Sequence, residues 1–198
     1  MRLENRIAII TGAAKGMGAA ITRTLGREGA DLMLAAREIA PLDEVAEEVR
    51  AMGRRVETIS TNVADPKQVE AMVKATKEAF GGRIDILVNV AGTTGPIETP
   101  VQDIDPDDFL EVLDINVRGT FLPIKYTLPT MIAQKYGKIV IGLFTDSAIA
   151  EYKSLPLINY SQRLEIMKNL KGVYKIVKQD TWDYSKNLNK LKPDYLIH

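Results

Sequence analysis

Along the 198-residue chain, short apolar runs alternate with longer stretches in which apolar residues recur every three or four positions. The runs are "RIAII", "DLMLAA", "VETIS" and "IDILVNV", and they are followed by Gly16 to Glu28, Leu42 to Met52, Lys67 to Phe80 and Pro106 to Gln134. Strand-like runs separated by helical periodicity predict a parallel sheet built from right-handed βαβ units. The runs are apolar throughout rather than alternating, as strands covered by helices on both faces are. Beyond "KIVIGL" the alternation continues: Ser161 to Leu170 reads as helix, "YKIVK" as strand, Asn187 to Leu191 as a short helix and "YLIH" as a last strand.

The expected fold is therefore α/β, a three-layer α/β/α sandwich with a parallel Rossmann-like sheet spanning residues 1–198 as one domain. The first five strands are expected in the order 3-2-1-4-5, with "YKIVK" beside the fifth. Composition narrows the function classes. Lys plus Arg and Asp plus Glu each total 26, so there is no basic excess of the kind a nucleic-acid partner selects. There is no cysteine, which excludes disulfides and thiolate chemistry, and the one histidine is His198. "MRLENRIAII" lacks the apolar run of a signal peptide, and no stretch approaches the ~18 apolar residues of a membrane span, so a soluble, cytoplasmic protein is expected. The texture changes near residue 140: the earlier part is rich in Ala, Gly, Val and Glu, while the tail carries most of the tyrosines and the only tryptophan.

Chemistry is concentrated in "IAIITGAAKGMGAAI", which places Gly12, Gly16 and Gly18 between a strand and a helix. Glycines there permit a tight turn and close backbone approach, and a helix N-terminus offers free N–H groups to a pyrophosphate. Where an NAD site is expected to carry a carboxylate after the second strand, "LMLAAR" supplies Arg37, and Lys15 lies in the loop. Two cations near a ribose 2′ position favour a 2′-phosphate, hence NADP. The alternative is that both are solvated surface residues.

These residues resemble the N-terminal part of the short-chain dehydrogenase/reductases, over residues 1 to about 140. The glycine motif matches Thr11 to Gly18, Met17 included. The adenine-contacting "D-V" corresponds to Asn62 and Val63, where an amide still accepts a hydrogen bond without the charge. "N-N-A-G" appears as Asn89, Val90, Ala91 and Gly92, and "N-V-x-G" as Asn116, Val117 and Gly119. The resemblance implies a dinucleotide ligand held by Gly12, Lys15, Gly16, Met17, Gly18, Arg37, Asn62, Val63, Asn89, Ala91 and Gly92.

In that family the fifth strand delivers a serine and a later helix carries Tyr-x-x-x-Lys, the proton donor and the cation that lowers its pKa. Here the fifth strand runs into "IGLFTD", and the Tyr-x-x-x-Lys match, Tyr174 and Lys178, lies in a segment that reads as strand, where four residues span ~13 Å. From about Val140 the chain is similar instead to the cytidylyltransferase-like nucleotidyltransferases found with phosphoenolpyruvate phosphomutase, through "GLFTD", "YKSLPLINYSQR", "KGVYKIVKQDTWDY" and "LKPDYLIH". That family's H-x-G-H motif is absent, and Arg163, Trp182 and Tyr184 read as surface or sheet-edge residues as readily as nucleotide contacts. The expectation is a chimera, two half-folds deliberately joined near residues 138 to 142, with no native catalysis, no catalytic or metal residue, and weak residual NADP binding through the adenosine half. The alternatives are a working NADP-dependent reductase and a CTP-binding module, the former requiring Tyr152 or Tyr160 to act as proton donor.

Overall fold

The computed structural model describes residues 1–134, 139–144, 146–147, 159–169 and 173–180. The chain divides into two compact units, Met1–Tyr136 and Gly137–His198. In the first, β1 (Ile7–Thr11), α1 (Gly16–Arg27), β2 (Asp31–Ala36), α2 (Ala40–Arg50), β3 (Val56–Ser60), α3 (Pro66–Ala79) and β4 (Ile86–Asn89) follow one another as the hydrophobic pattern predicts. The four strands are parallel and ordered β3-β2-β1-β4, with Ile9 opposite Met33 on one side and Leu87 on the other. This is the Rossmann-like arrangement of a parallel sheet with flanking helices. β1 is buried at every position because it is central, with neighbours on both edges and helices on both faces.

The pleat divides the core. Ile7, Ile9, Met33 and Leu87 pack with Val69, Met72, Leu122 and Met131 under α3 and the later helix α5. Ala8, Ile10, Leu32 and Leu34 point to the opposite face, where α1 and α2 bury Ala19, Leu42, Val45 and Val49. At the N-terminal edge of the sheet Asp85, whose side chain is 0 % exposed, accepts from the Ile7 N–H at 2.9 Å and from Arg83 Nε at 2.8 Å, with Arg6 Nη1 at 3.8 Å. The Gln134 amide bonds both backbone groups of Ile84, at 2.9 and 2.8 Å, and so ties the end of α5 to the entry of β4.

The helical pattern from Pro106 to Gln134 is expected as one helix and is three segments. α4 (Pro106–Leu113) passes into a π-helical turn, Asp114–Arg118, and then into α5 (Gly119–Ala133). Pro123 and Pro129 lie inside α5; each lacks the N–H that would bond four residues back, and Thr127 Oγ1 donates to the Pro123 carbonyl at 2.7 Å. Gly119 starts α5 against Val63: a Cβ there would stand 2.5 Å from Val63 Cγ2.

α3 opens on Asp65, whose carboxylate accepts from the N–H groups of Lys67 and Gln68. Those bonds, the Lys67 N–H foremost, hold its pKa below the usual carboxylate value. A lowered folded-state pKa contributes stability above the unfolded value, ~3.9, that is lost as pH falls through the folded one. Asp65→Asn keeps a capping oxygen but not the titration. Its urea midpoint is expected below wild type at neutral pH, with the gap closing on acidification; a gap independent of pH would show that the cap does not titrate.

In the second unit β5 (Ile139–Phe144) pairs in parallel with β6 (Val173–Gln179), with a register irregularity at Ile139/Val140. Between them in sequence, α6 (Tyr160–Lys168) begins with a capping box: Asn159 accepts from Gln162 N at 3.0 Å, and Gln162 Oε1 accepts from Asn159 N at 3.2 Å. The expected order is thus observed for the first four strands, and the expected pairing with each other for the last two. "YLIH", "TWDY", the helix Asn187 to Leu191 and Tyr152 lie outside the described residues.

Candidate functional site

A cavity of about 300 Å³ opens at the C-terminal edge of the four-stranded sheet. That edge is where open α/β sheets bind ligands, because loops diverge there and helix N-termini converge. Of the residues singled out from sequence, Gly12, Lys15, Met17, Arg37, Asn62, Val63, Ala91 and Gly92 line it. Gly12 sits at φ +68°, and a Cβ on it would lie 2.6 Å from the Ala91 nitrogen, so the loops after β1 and β4 touch through a position that admits no side chain. Lys15 caps α1 in extended conformation without a side-chain hydrogen bond, leaving the first-turn N–H groups at the cavity wall.

Gly16, Gly18 and Asn89 do not line the cavity. Gly16, at φ +55° with open space around it, makes the turn into α1. Gly18 is packed on the Gly12 carbonyl and builds the loop from behind. Asn89 faces the same side of the sheet as its register partner Thr11; it is 7 % exposed, and its amide O and N have no partner among the described residues.

The expectation for Asn62 also needs correction. Its Oδ1 already accepts from the Ala64 N–H at 3.1 Å, so the acceptor foreseen for an adenine amino group is taken by its own loop. The Asn116 side chain, on the π turn, is committed too. It accepts from Thr93 N and donates to Thr93 O, both at 2.8 Å, clasping the loop after β4. Sequence reading missed Ala14, Ala36, Glu38, Pro41, Thr61, Val90 and Ile115 as lining residues. The small residues Ala14 and Ala36 carried no chemical signal, but Thr61 and Glu38 adjoin residues that were singled out.

In the second unit Asp146 accepts from Tyr160 N at 2.9 Å and pairs with Arg163. The Tyr160 N–H is the chief reason the Asp146 pKa is lowered, with Arg163 adding to it. Arg163 is therefore engaged at the head of α6. Tyr174 and Lys178 lie in β6, the strand state expected for them, and Lys178 pairs with Asp180 at 2.9 Å. Among the described residues no His, Cys, Asp and Glu cluster suits a metal, and no helix is long and apolar enough to cross a membrane.

A parallel sheet, a glycine turn into an uncapped helix N-terminus and a cavity beside them define a dinucleotide-type Rossmann-like site. The short chain dehydrogenase family matches residues 6–162, and the chain belongs to that family. A cytidylyltransferase-like pattern matches residues 127–198. The chain is 40% identical over 141 residues to the oxidoreductase UcpA of Escherichia coli (strain K12), covering 71% of this chain and 52% of that protein. It is 38% identical over 138 residues to the glycine betaine reductase ATRR of Emericella nidulans, covering 70% of this chain and 11% of that one. Among solved structures, a metagenomic short-chain oxidoreductase in complex with NADP matches with a TM-score of 0.71 and 25% identity, covering 100% of this chain and 82% of that one. NAD+-bound xylitol dehydrogenase matches with a TM-score of 0.71 and 29% identity, covering 85% and 63%. The chain spans about half the length of the bacterial curated relatives it matches.

These findings overturn the expectation that the chain is not an enzyme. Its relatives are oxidoreductases, and the family match does not stop near residue 140 but runs through β5 to residue 162, inside α6. The two family matches overlap over residues 127–162, so the change in texture is not a clean boundary.

Proposed function

We propose that the chain binds a nicotinamide dinucleotide, NADP(H) ahead of NAD(H), and works as a short-chain oxidoreductase. The observation that carries this reading is that Lys15 and Arg37 line the same cavity as Gly12. Gly12 and the α1 N-terminus suit a pyrophosphate, since the bare Cα admits the phosphate and the first-turn N–H groups donate to it. Arg37, after the last residue of β2, and Lys15, before α1, are the two cations available to a ribose 2′-phosphate. The cofactor fits this donor set, and bound there it supplies or accepts hydride. Clasped by Asn116, the loop from Val90 to Thr93 holds the β4 side of the cavity in place for the other half of the dinucleotide.

The test is a thermal unfolding scan with NADPH, NADH or CTP on wild type and Arg37→Ala. A ligand that binds only the folded state raises the midpoint. NADPH is expected to raise it more than NADH, and Arg37→Ala to weaken NADPH roughly tenfold or more while leaving NADH nearly unchanged, as loss of a charge-assisted phosphate contact does. Turnover is followed with a panel of ketones and aldehydes through the near-ultraviolet absorbance of the reduced nicotinamide. No midpoint shift with either dinucleotide overturns the reading. A shift with CTP alone, surviving Arg37→Ala, replaces it with a cytidylyltransferase-like binding module.

A further inference from the structure

With a pyrophosphate at the N-terminus of α1 and a ribose at the end of β2, the sheet order carries the base toward the end of β3. There Thr61, Asn62 and Val63 form the cavity wall. The loop fixes which hydrogen-bonding groups they present. Asn62 N–H donates to Gln68 Oε1 at 2.8 Å, and its carbonyl accepts from Asp65 N at 3.0 Å. Its Oδ1 accepts from Ala64 N at 3.1 Å. An N–H can bond only an acceptor, so reversing the Asn62 amide would orphan Ala64. What Asn62 has left is Nδ2, a donor without a partner among the described residues. The adjacent Val63 N–H likewise has no partner among them. Beside them the Thr61 hydroxyl, 2 % exposed, is also unpartnered. A buried polar group in that state is satisfied by a ligand or by water.

We infer that Asn62 sets the base selectivity of this cavity in favour of a purine carrying oxygen rather than an amino group at its 6 position. The inference rests on the dinucleotide reading above. Adenine offers an acceptor, N7, next to a donor, its 6-amino group, whereas a 6-oxopurine offers two adjacent acceptors, N7 and O6. Two neighbouring donors, Asn62 Nδ2 and Val63 N–H, match the second pattern. A carboxylate at position 62 has only acceptors and matches the adenine amino group. The ligand class is therefore a phosphorylated dinucleotide with hypoxanthine or guanine as its base.

The test measures, by titration calorimetry, the affinity of wild type and Asn62→Asp for NADPH and for the reduced nicotinamide hypoxanthine dinucleotide phosphate, which differs only in the 6-oxo group. Wild type is expected to favour the 6-oxo form by roughly threefold or more, and the aspartate variant to favour the adenine form by roughly tenfold. Aspartate also accepts from Ala64 N–H, so the loop is retained, and a urea midpoint without ligand checks this. The wild-type ratio is informative by itself. Equal binding or an adenine preference in wild type, or the same ratio in both proteins, overturns the inference and leaves the dinucleotide reading standing. Failure of both ligands to bind overturns both.

Discussion

Alanine at Gly18 is expected to abolish dinucleotide binding while costing the fold about 3 kcal/mol, the upper range for forcing a group into a packed site. A Cβ at this position falls inside the contact distance of the Gly12 carbonyl oxygen, 2.8 Å from the Gly12 carbonyl carbon and 3.0 Å from Ala13 Cα. All three are backbone atoms, so no side-chain rotation relieves the clash. Gly12 cannot retreat either, because Ala91 stands against its other side. The whole turn between β1 and α1 must shift, and with it the N–H groups offered to phosphate. Urea unfolding reads the first effect, and the NADPH-dependent midpoint shift reads the second. Gly53→Ala is the control: it adds a Cβ in open space at φ +80°, where strain is the only cost. A Gly18→Ala protein that keeps its full NADPH shift would place the phosphate elsewhere.

Asp85→Ala is expected to destabilise the fold by a similar amount, about 3 kcal/mol, without changing cofactor affinity. The fully buried carboxylate satisfies the first N–H of the central strand and draws in two arginines. Removing it orphans a buried donor and leaves Arg83 and Arg6 facing an apolar gap, although their partial exposure lets them recover some hydration. Five residues of β1 and its turn separate Ile7 from Gly12, a span of ~16 Å, so the loss is registered at the opposite edge of the sheet from the cavity. Urea midpoints and NADPH titration on the same variant separate the two quantities. A parallel loss of affinity would mean that the sheet transmits the defect along its length.

How much of this was legible in the sequence depends on the range of the interactions. The first four strands were readable because each is an uninterrupted apolar run, and helix ends lay within about two residues of observation because Arg27, Pro66 and Gly119 mark them locally. The glycine loop was readable because backbone geometry there admits few residue types. The commitments of Asn62 and Asn116 were not readable. Each amide is engaged by a backbone group, and for Asn116 that group is Thr93, 23 residues away. The direction in which Asn89 faces depends on strand register, which places it with Thr11 under α5 rather than in the cavity. The catalytic expectation failed for a related reason. It weighed two absent motif residues against the chain, whereas family membership rests on a pattern extending through residue 162.

The Asn116 clasp has a kinetic consequence. Bonded to both the N–H and the C=O of one loop residue, the amide imitates a rung of β-ladder reaching from a helix to a loop. A loop of this kind left alone re-equilibrates in nanoseconds to microseconds, but the Thr93 amide becomes exchangeable only when the clasp opens. Its hydrogen-exchange rate therefore reports on the widened turn at Asp114–Arg118 rather than on the loop itself. The cavity wall after β4 acquires the lifetime of a helix.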